Sequence, residues 1–210
     1  MKLVGMLDSP YVRRVAISMR LLGLPFEHAA ISVFRGFEAF RQINPVVKAP
    51  TLVCDDGSTL MDSTLMLAYV EALAGRSLMP AQPTALLREL RLIGLALAAC
   101  EKSAQIVYER GLRPAEKRHQ PWIERVSGQL DAAYRALDAE LAAQPLDTGE
   151  AGLGQAALTV GVAWTFTQFV LPELVPAEGF PRLAAHAAAV EALPVFRAVP
   201  CSDSLQLQPA

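Results

Sequence analysis

Ser9-Pro10 is the first pair of residues in this chain whose types and spacing suggest chemistry. A serine hydroxyl can cap exposed backbone N–H groups, and proline is preorganised for the first helical position. The apolar residues Val12, Val15, Ala16, Met19 and Leu22 follow at helical spacing. A helix N-terminus built this way carries partial positive charge and N–H donors, so it favours an anion. Asp62-Ser63 starts a second such helix, running through Leu65, Tyr69, Ala72 and Leu73 to Gly75, with Ser63 expected as its cap. Either pair can also be a plain helix cap. Between them lies Ala49-Pro50, an X-Pro bond at which cis geometry is accessible.

Other constellations are set aside. No Ser-His-Asp arrangement is suggested by order or spacing. His28, His119 and His186 are far apart and lack ligand spacing, so no metal site is expected. Gly152-Leu153-Gly154-Gln155-Ala156-Ala157 imitates a dinucleotide fingerprint but follows a polar loop rather than a strand. No nucleotide cofactor is therefore expected. Cys54, Cys100 and Cys201 are widely spaced, form no C-x-x-C, and suggest a reducing compartment.

The elements that must position these residues fall into two halves. In residues 1–80, strands are expected at 2–6 and 26–33, with a helix opening at Ser9-Pro10 between them. A short helix or irregular segment covers 35–43 and is closed by Asn44-Pro45. Residues 50–54 and 58–61 flank Asp55-Asp56-Gly57, a hairpin signal. The order is β-α-β-α-β-β-α, with a parallel first β-α-β unit. Met79-Pro80-Ala81-Gln82-Pro83-Thr84 marks the seam. Beyond it the chain is rich in Ala, Leu, Glu and Arg. Helices are expected at about 84–110, 115–143, 155–170 and 182–192, with a last turn after Pro194. The tail from Ser202 to Ala210 is polar and expected to fray.

Composition excludes several function classes. The 210 residues are 52% hydrophobic and 19% charged, which excludes a disordered chain. The formal net charge of −2 leaves no basic footprint for nucleic acid. The greasiest stretch, Ala156 to Leu171, contains Gln168 and is too short to span a membrane, so a buried helix is expected there. With no secretory pattern near Met1, the expected location is the cytoplasm.

Taken together, the segments Ser9-Pro10-Tyr11-Val12-Arg13-Arg14-Val15, Asn44-Pro45-Val46-Val47-Lys48-Ala49-Pro50-Thr51-Leu52 and Asp62-Ser63, in this order, resemble the soluble glutathione transferase family. The likeness is to a bacterial-type member with a serine at the N-terminal motif. It implies a thioredoxin-like glutathione-binding domain over 1–78, a linker at 79–85, and an all-helical domain over 86–210 that shapes the second-substrate pocket. By the same resemblance, Ser9 stabilises the glutathione thiolate, with no nucleophilic role of its own. Family members with cysteine at that place perform thiol-disulfide chemistry, which the serine here disfavours. Ala49 before a cis Pro50 is expected to pair its main chain with the cysteinyl unit. Ser63 and Asp62 would hold the γ-glutamyl carboxylate and ammonium, and Lys48 would lie near the glycine carboxylate. Val47 stands where the family commonly has glycine, and Arg35 is a weaker glutathione contact.

The second substrate, a small hydrophobic electrophile, is expected to meet Tyr108, with Tyr11 also near the pocket and Ile106 or Arg110 as further candidates. Trp122, Trp164, Phe166 and Phe169 are expected in the core. The family opens its sixth helix with a Ser/Thr-x-x-Asp capping box, which is missing here because Gly154 and Ala157 stand in its place. A homodimer is implied, with the first domain of one subunit against the helices of the other. Two alternatives stay open. One is a non-catalytic binding or regulatory relative; the other is a glutathione-dependent isomerase or dehalogenase on the same fold.

Overall fold

A computed structural model describes residues 1–201, and the 202–210 tail lies outside them. The described residues form two units. One comprises Met1–Leu78 with the segment from Pro194 onward, and the other comprises Met79–Leu193.

The first unit is built on four short strands, β1 (Lys2–Val4), β2 (Glu27–Ala29), β3 (Thr51–Val53) and β4 (Thr59–Met61), in the order β2-β1-β3-β4. β1 and β2 are parallel; β1–β3 and β3–β4 are antiparallel. This is the thioredoxin-like arrangement that the β-α-β-α-β-β-α order implied. The first two strands are shorter than the apolar runs that announce them. β1 stops at Val4 because Gly5 turns the chain at φ 138°, outside any strand conformation. β2 then pairs only as far as its partner extends, Lys2↔Glu27 to Val4↔Ala29.

Helix α1 (Pro10–Leu21) buries Val12, Val15, Ala16 and Met19, and Ser9 is its N-cap, as the spacing predicts. A short helix α2 (Phe37–Ile43) ends at Asn44. Helix α3 (Ser63–Ala74) ends at Gly75 in the left-handed conformation. Its cap corrects the sequence expectation. Asp62 is the N-cap, its carboxylate accepting from Thr64 N at 2.8 Å, while Ser63 is the first helical residue.

The chain after residue 193 groups with this unit rather than with the helices preceding it. The four-residue helix α8 (Pro194–Arg197) lies against α1. Arg13 Nε donates to Val199 O at 2.8 Å, and its guanidinium stacks 5.4 Å from the centroid of Phe196.

The second unit is helical: α4 (Pro83–Leu112), α5 (Gln120–Ala143), α6 (Gln155–Val170) and α7 (Pro181–Glu191). α5 begins later than its sequence pattern suggests because residues 115–117 form a separate 3-10 turn and Pro121 sits in its first turn. α6 is buried along most of its length, as expected for the greasiest stretch. No helix among the described residues is long and apolar enough to cross a membrane. Tyr134, Trp164 and Phe180 meet edge to face, with centroids 5.2–6.1 Å apart. Tyr134 OH donates to Ala163 O at 2.9 Å and accepts from Thr167 Oγ1 at 2.6 Å; Ser103 Oγ lies 2.8 Å from Thr167 Oγ1. This buried chain stitches α4, α5 and α6 together, and burial pushes the Tyr134 phenol well above its ordinary pKa. Trp164 and Phe166 are core residues, but Trp122 and Phe169 are 41% and 42% exposed, against the expectation for them.

None of α4 to α7 is capped by the side chain of its own N-cap residue. Carboxylates from neighbouring helices do this work for three of them. Glu89 of α4 accepts from Ala156 N at the start of α6 (2.6 Å). Glu109 of α4 accepts from His119 N before α5 (3.0 Å). Asp138 of α5 accepts from Arg182 N and Leu183 N of α7, both at 2.9 Å.

Candidate functional site

The ladder pairs Val4 with Thr51 and Thr51 with Met61 across adjacent strands. These three residues stand in a row at one end of the sheet. The chain leaves β1 there toward Ser9, enters β3 there from Ala49-Pro50, and leaves β4 there into Asp62-Ser63. The topology thus brings the three segments singled out in the sequence to one sheet end, although they are far apart along the chain.

Ser9 is half-buried, and its Oγ accepts from Val12 N at 3.4 Å. No acidic residue occupies the first turn of α1, so nothing in that turn opposes an anion. Tyr11, two residues further on, is half-buried. The Ala49–Pro50 peptide is cis.

The loop leading to that peptide is tied internally. Asn44, buried, donates through Nδ2 to Thr51 Oγ1 at 2.8 Å and accepts from Val46 N at 3.0 Å. Thr51 Oγ1 donates in turn to Lys48 O at 2.7 Å. Lys48 itself projects as an exposed residue. Val47 holds φ 51°, a conformation that glycine takes freely and a β-branched residue rarely adopts. Asp62 is the other non-glycine residue with positive φ among the described residues, at 71°. Two strained positions thus flank the same sheet end, a pattern associated with functional sites.

At the start of α3, Ser63 is buried and Asp62 exposed. Arg14 reaches there from α1, and its guanidinium donates to Ser63 Oγ and Thr64 Oγ1, both at 3.3 Å. Arg14 is 2% exposed, so a buried cation stands behind this helix N-terminus. The Ser63 hydroxyl accepts from Arg14 and keeps its own hydrogen available to an incoming acceptor. An anion at this end of α3 would therefore meet helix N–H donors, a hydroxyl donor and a guanidinium field.

The remaining candidates are placed as follows. Arg35 is exposed, and its backbone N–H is held by Ser32 Oγ. On α4 of the helical unit, Tyr108 is 46% exposed, Ile106 is buried in the core, and Arg110 pairs with Glu173 at 2.5 Å. That pairing holds the Glu173 carboxyl below its ordinary pKa. No group of three or more His, Cys, Asp or Glu among the described residues could hold a metal.

Sequence patterns did not point to Arg14, Asn44, Gly5 or His28. Gly5 and His28 join the site through the loop from β1 to α1, where His28 Nε2 donates to Gly5 O at 2.8 Å. Asn44-Pro45 reads only as the close of the 35–43 segment, and Arg13-Arg14 only as part of the helix that opens at Ser9-Pro10. Only tertiary packing shows where those side chains go.

Comparison with known proteins gives the same affinity throughout. Residues 3–78 match the family model for the glutathione S-transferase N-terminal domain, and residues 120–189 match that for the C-terminal domain. The uncharacterized GST-like protein YibF of Escherichia coli K12 is 27% identical over 173 residues, covering 82% of this chain and 85% of YibF. A glutathione S-transferase from Methylobacterium radiotolerans, solved with glutathione sulfonate, superposes with a TM-score of 0.86 at 25% identity, covering 97% of this chain and 96% of that one. A glutathione transferase family member from Pseudomonas fluorescens Pf-5 with bound glutathione gives a TM-score of 0.79 at 28% identity, covering 94% and 97%. With both domain models matched in order on the expected two-part fold, the chain belongs to the glutathione S-transferase family.

Proposed function

We propose that this protein binds glutathione at the sheet end described above, stabilises its thiolate, and transfers it to a small hydrophobic electrophile. The observation that carries this is the topology, in which the segments leading to Ser9, from Ala49-Pro50 and into Asp62-Ser63 all meet the sheet at the end marked by Val4, Thr51 and Met61. The γ-glutamyl carboxylate takes the α3 N-terminus, meeting Ser63 Oγ and the α3 amides, with the Asp62 carboxylate facing the ammonium group. The cysteinyl backbone pairs with the main chain of Ala49, and Lys48 attracts the glycine carboxylate.

The sulfur then lies at the start of α1. The helix field and a hydrogen bond donated by Ser9 Oγ favour thiolate over thiol, lowering the pKa from its ordinary value of about 8.5. The thiol proton passes to solvent. The thiolate's electron pair forms the new S–C bond, and the electrophile either expels its leaving group or takes up a proton. Ser9 forms no covalent bond. The electrophile is assigned to the helical domain, with Tyr108 among its contacts. The working form is a cytoplasmic homodimer.

Calorimetric titration with glutathione tests this directly, using wild type, Ser63→Ala and Ser9→Ala. Wild type should bind, and Ser63→Ala should bind about tenfold more weakly, the cost of one hydrogen bond to a charged group. Ser9→Ala should keep its affinity but raise the pKa of the bound thiol, read from thiolate ultraviolet absorbance. No binding by wild type at millimolar glutathione overturns the proposal. An unchanged thiol pKa in Ser9→Ala reduces Ser9 to a helix cap.

A further inference from the structure

Gly5 is where β1 leaves the sheet and the chain turns toward Ser9. Its φ is 138°, and a Cβ built on it would lie 2.6 Å from Val12 Cγ2 and 3.2 Å from Ala49 Cβ. The glycine is therefore wedged between α1 and the residue before the cis proline, so its position sets the spacing between two parts of the candidate site. Two hydrogen bonds hold it. Gly5 N donates to Ala29 O at 3.0 Å, extending the ladder one peptide beyond its last pair. Gly5 O accepts from His28 Nε2 at 2.8 Å.

The second bond comes from a side chain on the edge strand. His28 pairs with Leu3 through the backbone and reaches along the ladder to the residue where the strand ends. A carbonyl only accepts, so Nε2 carries the proton. It does so in the imidazolium and in one neutral tautomer, so the bond persists whether or not His28 is charged. Glycine has the widest backbone freedom of any residue, and a glycine peptide held on one side only is free to rotate.

We propose that His28 is a positioning residue: it fixes the Gly5 carbonyl and thereby holds the α1 N-terminus and Ala49 at the spacing that glutathione requires. This rests on the glutathione function proposed above. Without the bond, the Gly5 peptide can turn, and the loop to Ser9 moves with it. The sulfur then sits less well at the helix end, so both affinity and thiolate stabilisation fall.

The test compares wild type, His28→Ala, His28→Gln and Lys2→Ala. Lys2 forms an exposed ion pair with Glu27 on the same two strands and serves as the control. Glutathione affinity, the pKa of the bound thiol and the thermal midpoint are measured for each. His28→Ala should weaken affinity about three- to tenfold, the equivalent of one net hydrogen bond, and raise the thiol pKa. His28→Gln should restore both, because its amide nitrogen reaches to where Nε2 sits. Lys2→Ala should match wild type. Wild-type affinity and thiol pKa in His28→Ala would overturn the inference. So would a loss in His28→Ala that follows a lowered thermal midpoint and is not recovered by His28→Gln. If wild type itself binds no glutathione, the proposed function fails, and this inference with it.

Discussion

Ser9 and Ser63 are the same residue type at two helix N-termini, yet their surroundings give them different work. Ser9 is half-buried and accepts from the backbone of its own helix. Ser63 is buried and accepts from Arg14, which α1 contributes. The guanidinium adds a full charge to the partial charge of the α3 amides at the place where a carboxylate is proposed to bind. Replacing Arg14 with Met keeps the length and removes the charge. Arg14→Met should weaken glutathione binding about tenfold, or roughly 1.4 kcal/mol. Arg14→Lys should recover part of it, since the charge returns without the planar fork. Calorimetry on the two variants decides this, and unchanged affinity in Arg14→Met would place the carboxylate elsewhere. Ser9 was legible as a cap because capping is local chemistry, whereas at α3 the neighbouring Asp62 takes the cap expected of Ser63. The arginines were not: Arg13 and Arg14 are adjacent, both 2% exposed, and go to opposite tasks, one to Val199 and Phe196, the other to Ser63 and Thr64.

At the scale of elements, helices were legible wherever apolar periodicity ran long, and most of their ends where Ser-Pro, Gly or Pro marked them, the start of α5 excepted. What the sequence could not reveal was capping supplied from another helix. Gly154 and Ala157 read as a missing box, and the structure fills the gap with Glu89, two helices earlier in the chain. Burial raises the Glu89 carboxyl above its ordinary pKa, outweighing the opposite effects of its bond from Ala156 N and of nearby Arg88. The folded state therefore holds this proton more tightly than the unfolded one. The stability linked to it is complete below the unfolded pKa and is lost as pH rises through the higher folded value. Glu89→Gln keeps the acceptor and removes the charge, so it should gain stability relative to wild type as pH rises from about 4 to 7. Glu89→Ala removes the acceptor as well, so it should lie about 1 kcal/mol below Glu89→Gln across that range. Urea unfolding of the three proteins at stepped pH measures both effects. A constant difference between Glu89→Gln and wild type would show that the buried charge has no part in the pH dependence.

For the whole molecule, the two-part organisation was visible in the composition shift near residue 80. The membership of the last segment was not, because the bond from Arg13 to Val199 spans 186 residues and leaves no trace in local pattern. Surface apolar residues pose a similar problem, since periodicity alone does not tell a core stripe from an interface stripe. On α3, Leu65, Tyr69 and Leu73 recur every fourth residue and are 63%, 37% and 50% exposed. On α4, Leu87 and Leu90 are 70% and 53% exposed. The proposed homodimer covers both stripes if α3 of one subunit faces α4 of its partner. In a two-fold dimer each such contact occurs twice, so one substitution places two uncompensated charges in the interface. Leu73→Glu and Leu87→Glu should therefore each weaken dimerisation by about one and a half to four orders of magnitude, from roughly 1–3 kcal/mol per buried polar group counted twice. Leu73 lies at the end of α3 away from Ser63, so glutathione titration of the same variants separates loss of the dimer from loss of the site. Light scattering over a dilution series gives the association constant. A monomeric wild type would overturn the dimer. A dimer disrupted by Leu73→Glu and untouched by Leu87→Glu would pair α3 with some surface other than α4.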